Sequence, residues 1–223
     1  MGLAHSPRIV TDGLVLCLDA GNTKSYGGSG TTWNDLKSRS YDATLSTTYS
    51  HTAFSGSSPG YFTFSGNGVA TTSSFSLTYV SWEVFYRSSS NDSFTTYGRI
   101  LDWSDTTISL GSFNTYQLRM WTNAGGSRSS ESVKNGIGTD GLWHHVIYTY
   151  DGSQTKFYLD GTLEQTVNKT GSLNNGSAAA LTIGDGDAYV FGGDISLVRV
   201  YNKALSAAEV AQNFNALRGR FGI

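Results

Sequence analysis

The 223-residue chain is long enough for one domain with a sandwich-sized core and short for two. Only 14% of its residues are charged, and it contains 27 glycines and 13% aromatic residues, so a coiled coil and a helical bundle are excluded. The formal net charge is −2 and Lys and Arg form no run, so we expect neither nucleic acid nor a membrane as a partner.

Short apolar runs recur along the chain between clusters of Gly, Ser, Asn and Asp, a rhythm typical of an antiparallel all-β domain. They are too numerous for one open sheet, so we predict a two-sheet antiparallel sandwich. The predicted strands are 13–19, 42–45, 60–64, 79–87, 99–103, 107–110, 116–121, 144–150, 155–159, 162–167, 180–183 and 195–201. The polar segments 46–59 and 88–96 lack periodicity and are predicted to be surface loops.

The first predicted strand carries the only cysteine of the chain, Cys17, within the apolar run LVLCL. A single cysteine cannot form an intramolecular disulfide. We therefore interpret Cys17 as a buried structural thiol without a redox function.

The segment 143–167 predicts a three-stranded antiparallel meander. Asp-Gly pairs at 151–152 and 160–161 separate its apolar runs, and such pairs favour tight hairpin turns. His144 and His145 are neighbours on the first of these strands, so their side chains point to opposite faces and cannot chelate one ion together. We interpret both as packing histidines.

One helix is predicted, at 205–218. Ser206 and Glu209 have the spacing of a capping box at its start, and Gly219 supplies a stop. An apolar stripe with helical spacing is expected to pack against the sandwich. The stripe consists of Val210, Phe214 and Leu217.

No repeat and no Pro-rich or charged linker divides the chain. We therefore expect a single domain over 1–223. Its predicted architecture is an all-β jelly-roll sandwich with one short C-terminal helix.

Three segments, in this order, resemble the LamG-like jelly roll of the concanavalin A-like lectin and glucanase superfamily: WHHVIYTYDG, KFYLDG and FGGDISLVRVYNKALSAAEV. The opening, IVTDGLVLCLDAGNTKSYGGSGTTWNDL, and the ending, LSAAEVAQNFNALRGRFGI, resemble LamG-type proteins of tailed bacteriophages, notably marine and cyanobacterial ones. The resemblance implies a virion structural protein, acting as a capsid decoration or a tail-associated surface module. Its implied partners are other virion proteins and further copies of itself.

The beginning of the chain, MGLAHSPRIV, lacks the apolar region of a secretion signal. A virion component assembles in the host cytoplasm and needs no export signal. The expected location is therefore the virion.

Glycosidases of the resembled superfamily depend on paired carboxyl groups, about 5–5.5 Å apart in retaining enzymes. None of the four glutamates here belongs to such a pair, and Glu83 alone lies on a hydrophobic strand, where a structural role is the simpler interpretation. We expect no enzymatic activity. A glycan hydrolase remains the weakest alternative.

The segment IGDGDAYVFGGD places three carboxylates in a Gly-rich loop: Asp185, Asp187 and Asp194. Ca²⁺ takes 6–8 oxygen ligands, and glycines let backbone carbonyls join them. These residues are candidate calcium ligands, with a plain solvated turn as the alternative. No other cofactor is expected.

Sugar binding would use aromatic rings that lie near loops. The candidates are Tyr97, Trp103 and Trp121, for which packing in the core is the alternative. If they form a concave site, the protein would be a carbohydrate-binding adhesin domain of a tail fibre that recognises host glycans. This is the main alternative to the structural role.

Overall fold

The computed structural model describes residues 7–46, 49–64, 70–88, 97–103, 108–113, 117–135, 140–173, 178–184 and 191–223. Within these ranges the chain forms sixteen strands and one helix. The strands are β1 (Leu14–Asp19), β2 (Thr32–Trp33), β3 (Ala43–Leu45), β4 (Tyr49–Ser55), β5 (Ser58–Phe64), β6 (Ala70–Thr72), β7 (Val80–Ser88), β8 (Tyr97–Trp103), β9 (Ile108–Phe113), β10 (Gln117–Ala124), β11 (Ser127–Asn135), β12 (Trp143–Tyr150), β13 (Gln154–Leu159), β14 (Thr162–Asn168), β15 (Leu181–Ile183) and β16 (Gly193–Tyr201). The helix α1 is Ala207–Phe221, and no helix in the described ranges is long and apolar enough to cross a membrane.

The strands form two eight-stranded antiparallel sheets. The helix-side sheet has the order β14-β13-β12-β7-β16-β5-β4, and β1 pairs with the part of β16 that β5 does not reach. The open sheet has the order β11-β10-β9-β8-β15-β6-β3-β2. The predicted two-sheet antiparallel sandwich with one C-terminal helix is confirmed.

The core between the sheets is rich in aromatic rings. Trp33, Trp82 and Trp103 are fully buried, and the Trp82 and Trp103 rings meet edge to face at 6.3 Å. In the open sheet, β10 alternates half-buried and buried residues, because only one of its faces is covered. In the helix-side sheet every residue of β12 and β16 is buried, because α1 covers the second face.

The helix begins as the sequence predicts, with a complete capping box between Ser206 and Glu209. It ends later than predicted: Gly219 remains helical, and Gly222 caps the helix with a left-handed backbone (φ 72°). The additional turn brings Phe221 onto Phe85, with the rings stacked at 4.1 Å. This packing outweighs the helix-breaking tendency of Gly219, which costs roughly 1 kcal/mol in a helix interior.

The predicted meander is confirmed as β12, β13 and β14, joined at the predicted Asp-Gly turns. Asp160 and Gly161 both have positive φ (47° and 79°), as a tight two-residue hairpin turn requires. Cys17 is buried and free, as predicted.

Four strands were not predicted: β2, β4, β6 and β11. The prediction of a loop at 46–59 is wrong for β4, an edge strand whose residues are all half-buried or exposed. Because neither face of β4 is fully covered, its sequence has no apolar alternation to detect. Most of the predicted loop 88–96 lies outside the described residues, after Ser88 ends β7.

Candidate binding groove

Three elements meet at one rim of the sandwich: the loop after β1, the β4–β5 hairpin and the end of α1. Between them lies a shallow hollow of about 440 Å³. Its lining consists of Asp19, Gly21, Asn22, Thr23, Phe54 and Arg220. We call this hollow the rim groove.

Arg220 is the fixed base of the rim groove. Its Nη1 and Nη2 donate to the two carboxylate oxygens of Asp19 at 2.9 and 2.7 Å, and its Nε donates to the Pro59 carbonyl at 2.8 Å. This bidentate arrangement fixes both side chains and joins the end of the helix to β1 and β5. The two charges cancel, so the base of the groove is rigid and electrically neutral.

Two glycines allow the chain segments under the groove to approach closely. A Cβ atom on Gly21 would overlap the Arg220 guanidinium and the Pro59 carbonyl. Gly60, at φ 72°, faces the backbone of Gly21 across the same contact. Only residues without a side chain fit between β1, β5 and Arg220.

Phe54 forms an apolar wall of the groove. It lies on the edge strand β4, and 58% of its surface is exposed. The Arg220 guanidinium carbon is 5.7 Å from the centre of its ring, a cation–π contact that steadies the side chain. The ring therefore presents apolar surface that a ligand could remove from water.

The loop after β1 supplies polar groups. The Asn22 Oδ1 atom accepts a hydrogen bond from the Lys24 backbone N–H at 3.0 Å, and the Asn22 carbonyl accepts from Ser25 and Tyr26. Within the described residues, the Asn22 amide nitrogen and the Thr23 hydroxyl have no hydrogen-bond partner. These two groups are positioned by a rigid loop and are available to a ligand.

A smaller hollow of about 160 Å³ adjoins the rim groove and also has Phe54 in its lining. Its walls include Tyr26 and His51, whose rings meet edge to face at 4.7 Å. Burial and the hydrogen bond with the Tyr49 hydroxyl raise the pKa of Tyr26 to about 12, so its hydroxyl stays neutral at physiological pH. We call this hollow the side hollow.

The sequence-predicted sugar-contacting residues do not lie in the rim groove. Trp103 is fully buried and its Nε1 donates to the Ala179 carbonyl at 2.9 Å, so it serves in core packing, the alternative weighed from the sequence. Trp121 is half-buried on the outer face of the open sheet, opposite Ser109 and Ser130. Tyr97 opens β8, but its side chain lies outside what the structure describes. The structure therefore does not bring Trp103 and Trp121 together.

Of the predicted calcium ligands, Asp185 and Asp187 lie outside the described residues. Asp194 lies on β16, where its Oδ2 accepts from Arg87 Nε at 2.9 Å and its Oδ1 accepts from the Thr63 hydroxyl at 2.6 Å. This carboxylate is therefore already neutralised by a guanidinium. Among the described residues, no cluster of three or more His, Cys, Asp or Glu could hold a metal ion.

Glu83 is the centre of a polar cluster beneath α1. Its carboxylate accepts from His145 Nε2 at 3.0 Å, Arg199 Nη1 at 3.1 Å, Asn213 Nδ2 at 2.9 Å and the Tyr201 hydroxyl at 3.2 Å. Burial alone would raise its pKa, but the Arg199 charge and the hydrogen bond from His145 outweigh burial and lower the pKa to about 2. The side chain is completely inaccessible, so it has the structural role expected from the sequence.

His144 and His145 point to opposite faces of β12, as predicted. The His144 ring nitrogens each lie 2.9 Å from a carboxylate, Nδ1 from Asp160 and Nε2 from Asp140. Ionised carboxylates only accept hydrogen bonds, so both nitrogens donate and the ring is protonated. Burial opposes this charge, but the hydrogen bonds of Asp160 and Asp140 outweigh burial and raise the pKa of His144.

Sequence reasoning missed the residues of the rim groove. Phe54 lies in a segment that the sequence predicts to be a loop, and Arg220 lies beyond the predicted end of the helix. Asp19 and Arg220 are 201 positions apart, so no local pattern links them. The available signal was the large aromatic side chain in an otherwise polar segment.

The two antiparallel sheets and their order define a concanavalin A-like jelly roll. A family model described as "Concanavalin A-like lectin/glucanases superfamily" matches residues 56–211, and the chain belongs to this family, Laminin_G_3. No curated protein sequence matches the chain.

Solved structures with the same fold include bacterial binding domains. Domain 4 of AbnA, a GH43 extracellular arabinanase from Geobacillus stearothermophilus solved with arabinotriose, has a TM-score of 0.70 at 15% identity, covering 90% of this chain and 97% of that domain. The binding domain of Paraclostridial Mosquitocidal Protein 1 has a TM-score of 0.71 at 12% identity, covering 92% and 52%. A structure of botulinum neurotoxin type C, described as interacting with two ganglioside molecules for cell entry, has a TM-score of 0.65 at 17% identity, covering 92% and 51%. The chain thus spans about half the length of the toxin chains, and at these identities the likeness concerns the fold.

Proposed function

We propose that the protein is a non-catalytic glycan-binding module and that the rim groove is its binding site. The observation that carries this proposal is the 58% exposed ring of Phe54, which lines the same groove as the Asn22 amide nitrogen and the Thr23 hydroxyl. Neither of these two polar groups has a hydrogen-bond partner among the described residues. Sugars present an apolar C–H face and a rim of hydroxyls. The groove offers a matching pair of surfaces, one aromatic and one polar.

Rigidity of the groove supports this proposal. The Arg220–Asp19 pair and the Gly21–Gly60 contact hold the walls in place before any ligand arrives. A preformed site loses little conformational entropy on binding, which favours affinity for small polar ligands. The volume of about 440 Å³ lies within the roughly 300–1,000 Å³ of small-molecule clefts.

Two further observations support a binding role over an enzymatic one. Glu83 lies beneath the helix and is engaged by four partners, so a glycan in solvent does not reach it. The arabinotriose and ganglioside in the descriptions of two structural neighbours are glycan ligands. Both points favour the adhesin alternative that the sequence left open.

We also propose that this module is part of a phage particle, as a capsid decoration or a tail-associated protein. The support is the resemblance of both chain ends to LamG-type phage proteins. Its partners there would be other virion proteins and copies of itself, and many copies would multiply a weak glycan affinity. Mass spectrometry of purified, salt-washed particles tests this role: stoichiometric or tail-ring copy numbers support it, and a protein found only free in the lysate contradicts it.

The glycan proposal is tested with the full chain on a glycan array, followed by calorimetric titration of the sugars that bind. Phe54→Ala should weaken binding about 10-fold or more, since it removes the aromatic wall, a loss of about 1.4 kcal/mol. Its melting temperature should change little, because the ring is mostly exposed. Tyr79→Ala is the matched control, because Tyr79 is a 48% exposed aromatic outside the groove.

The outcome distinguishes an error in the location of the site from an error in the proposed function. Equal binding by wild type and Phe54→Ala would place the site elsewhere. Absence of binding to any array glycan would contradict the proposed function itself.

A further inference from the structure

Two hollows flank one aromatic ring at this rim. The rim groove and the side hollow share Gly21, Thr23 and Phe54 in their linings, so they are neighbours, and Phe54 is the largest side chain common to both. The two hollows therefore form one elongated depression rather than a single rounded pocket. We call this depression the track.

The two volumes assign different roles to the hollows. The rim groove, at about 440 Å³, is large enough to hold a small ligand by itself. The side hollow, at about 160 Å³, is below the roughly 300 Å³ at which small-molecule sites begin. It therefore adds contacts to a ligand already held in the rim groove.

The side hollow offers a hydrogen-bonding group of its own. The His51 Nε2 atom lies 2.9 Å from the Ala20 carbonyl, which only accepts, so Nε2 carries the proton. The other ring nitrogen, Nδ1, has no hydrogen-bond partner in the described part of the chain. A sugar hydroxyl is a suitable donor.

The charges of the track cancel. Arg220 and Asp19, the charged side chains that line the rim groove, form a bidentate pair with each other. The described lining of the side hollow contains no acidic or basic side chain other than His51. Lys24 belongs to the same loop but lines neither hollow. The carboxylate of an acidic sugar would lose bound water on entering the track, and no described Lys or Arg side chain outside an ion pair lines the track to compensate for that loss.

We propose that the ligand is an uncharged glycan of at least two sugar rings, with one ring in the rim groove and the next across Phe54 in the side hollow. This inference rests on the proposed function and specifies the ligand of the same site. It makes Phe54 the divider between two subsites.

A chain-length series tests the inference. The probes are the neutral sugars that bind on the array, prepared with one to four units, together with uronic-acid counterparts of the same lengths. For the wild-type chain, affinity should rise about 10-fold from one unit to two, and less beyond. The uronic-acid series should bind no tighter than the neutral one.

Gly27→Phe blocks the side hollow selectively. Gly27 lines that hollow, its φ is not positive, and a Cβ there meets no atom within 4 Å, so the substitution adds a ring without strain. It should remove the gain from one unit to two while leaving the affinity for one unit unchanged. Thr166→Phe adds the same ring at an exposed position on β14, the opposite edge of the sheet, and should bind as wild type.

The possible results have distinct meanings. If one and two units bind equally to the wild type, or if Gly27→Phe leaves the gain intact, the second subsite is wrong while glycan binding stands. If uronic-acid chains bind more tightly than neutral ones, the uncharged ligand class is wrong. If no sugar binds to the wild type, the proposed function fails as a whole.

Discussion

Two arginine–carboxylate pairs lie where the helix meets the sandwich, in different surroundings. The Arg199 and Glu83 side chains are 3% and 0% exposed beneath α1, whereas Arg220 and Asp19 are 16% and 13% exposed at its end. The first pair is closed off by Asn213 of the helix, and the second borders the rim groove. The same ion-pair chemistry therefore forms a buried polar cluster that the helix covers at one place, and it borders an accessible surface at the other.

The largest expected effect comes from breaking the buried pair. Arg199→Met leaves the charge of Glu83 uncompensated in the interior, which should lower the free energy of unfolding by roughly 3–5 kcal/mol. Urea denaturation measures this loss. Combining Arg199→Met with Glu83→Leu should recover part of this loss, because the unpaired charge is removed although His145, Tyr201 and Asn213 lose their acceptor. A single-variant cost below about 1 kcal/mol would contradict the role of the pair.

Acid should weaken the same cluster. The pKa of Glu83 is lowered from 4.5 to about 2, so its stabilisation is complete above pH 4.5 and disappears as the pH falls toward 2. In the Arg199→Met, Glu83→Leu double variant, the loss of stability that comes from protonation of Glu83 as the pH falls from 4.5 toward 2 should be absent.

The contact under the rim groove should give the next largest effect. Gly21→Ala introduces a Cβ atom that overlaps the Arg220 guanidinium, so it should cost roughly 1–3 kcal/mol of stability and also weaken glycan binding. Gly56→Ala is the matched control, because a Cβ at Gly56 meets no atom within 4 Å. If both variants behave as wild type in unfolding and in titration, the close packing beneath the groove is not required.

A milder change tests the geometry of the exposed pair. Arg220→Lys keeps the charge but loses the two parallel hydrogen bonds to Asp19, so stability should fall by roughly 1–2 kcal/mol. Glycan affinity should fall as well, because the base of the groove loosens. Arg218→Lys, on an exposed position of the same helix, is the control. Full affinity in Arg220→Lys would show that the bidentate pair does not position the groove.

The smallest expected effect belongs to a third, titratable pairing, that of His144 with Asp140 and Asp160, whose carboxylates are more exposed than those of the two arginine pairs. The pKa of His144 is raised above 6.5, so the stability that it contributes is complete below its unfolded value and is lost as the pH rises through the folded value. We expect a decrease below about 1 kcal/mol, because Asp140 and Asp160 are partly exposed. Thermal unfolding at increasing pH measures it. His144→Gln should lack this pH dependence, and an identical profile in the variant would assign it to another group.

The fold could largely be predicted from the sequence, because its central features are local or periodic. The Asp160-Gly161 turn and the Ser206–Glu209 capping box depend on residues that lie close in the chain. Edge strand β4 was missed because its residues face solvent on both sides. The end of the helix was misplaced because the Phe221–Phe85 contact depends on tertiary packing.

The candidate site could not be predicted from the sequence to the same extent. The rim groove unites Asp19, Phe54 and Arg220, which lie near the start, in the first quarter and near the end of the chain. Their relation arises only when β1, β4 and α1 are assembled. Trp103, chosen from the sequence for its size and its nearness to a loop, lies in the core because the largest rings also fill a sandwich most effectively.

The central claim, that the rim groove binds a glycan, is tested most directly by nuclear magnetic resonance of the isotope-labelled full chain during titration with an array-selected neutral disaccharide. We predict that the largest chemical-shift changes occur at Asn22, Thr23 and Phe54, with the Trp121 indole signal unchanged. Shifts centred on Trp121 and the outer face of the open sheet, with the rim residues unaffected, would contradict it.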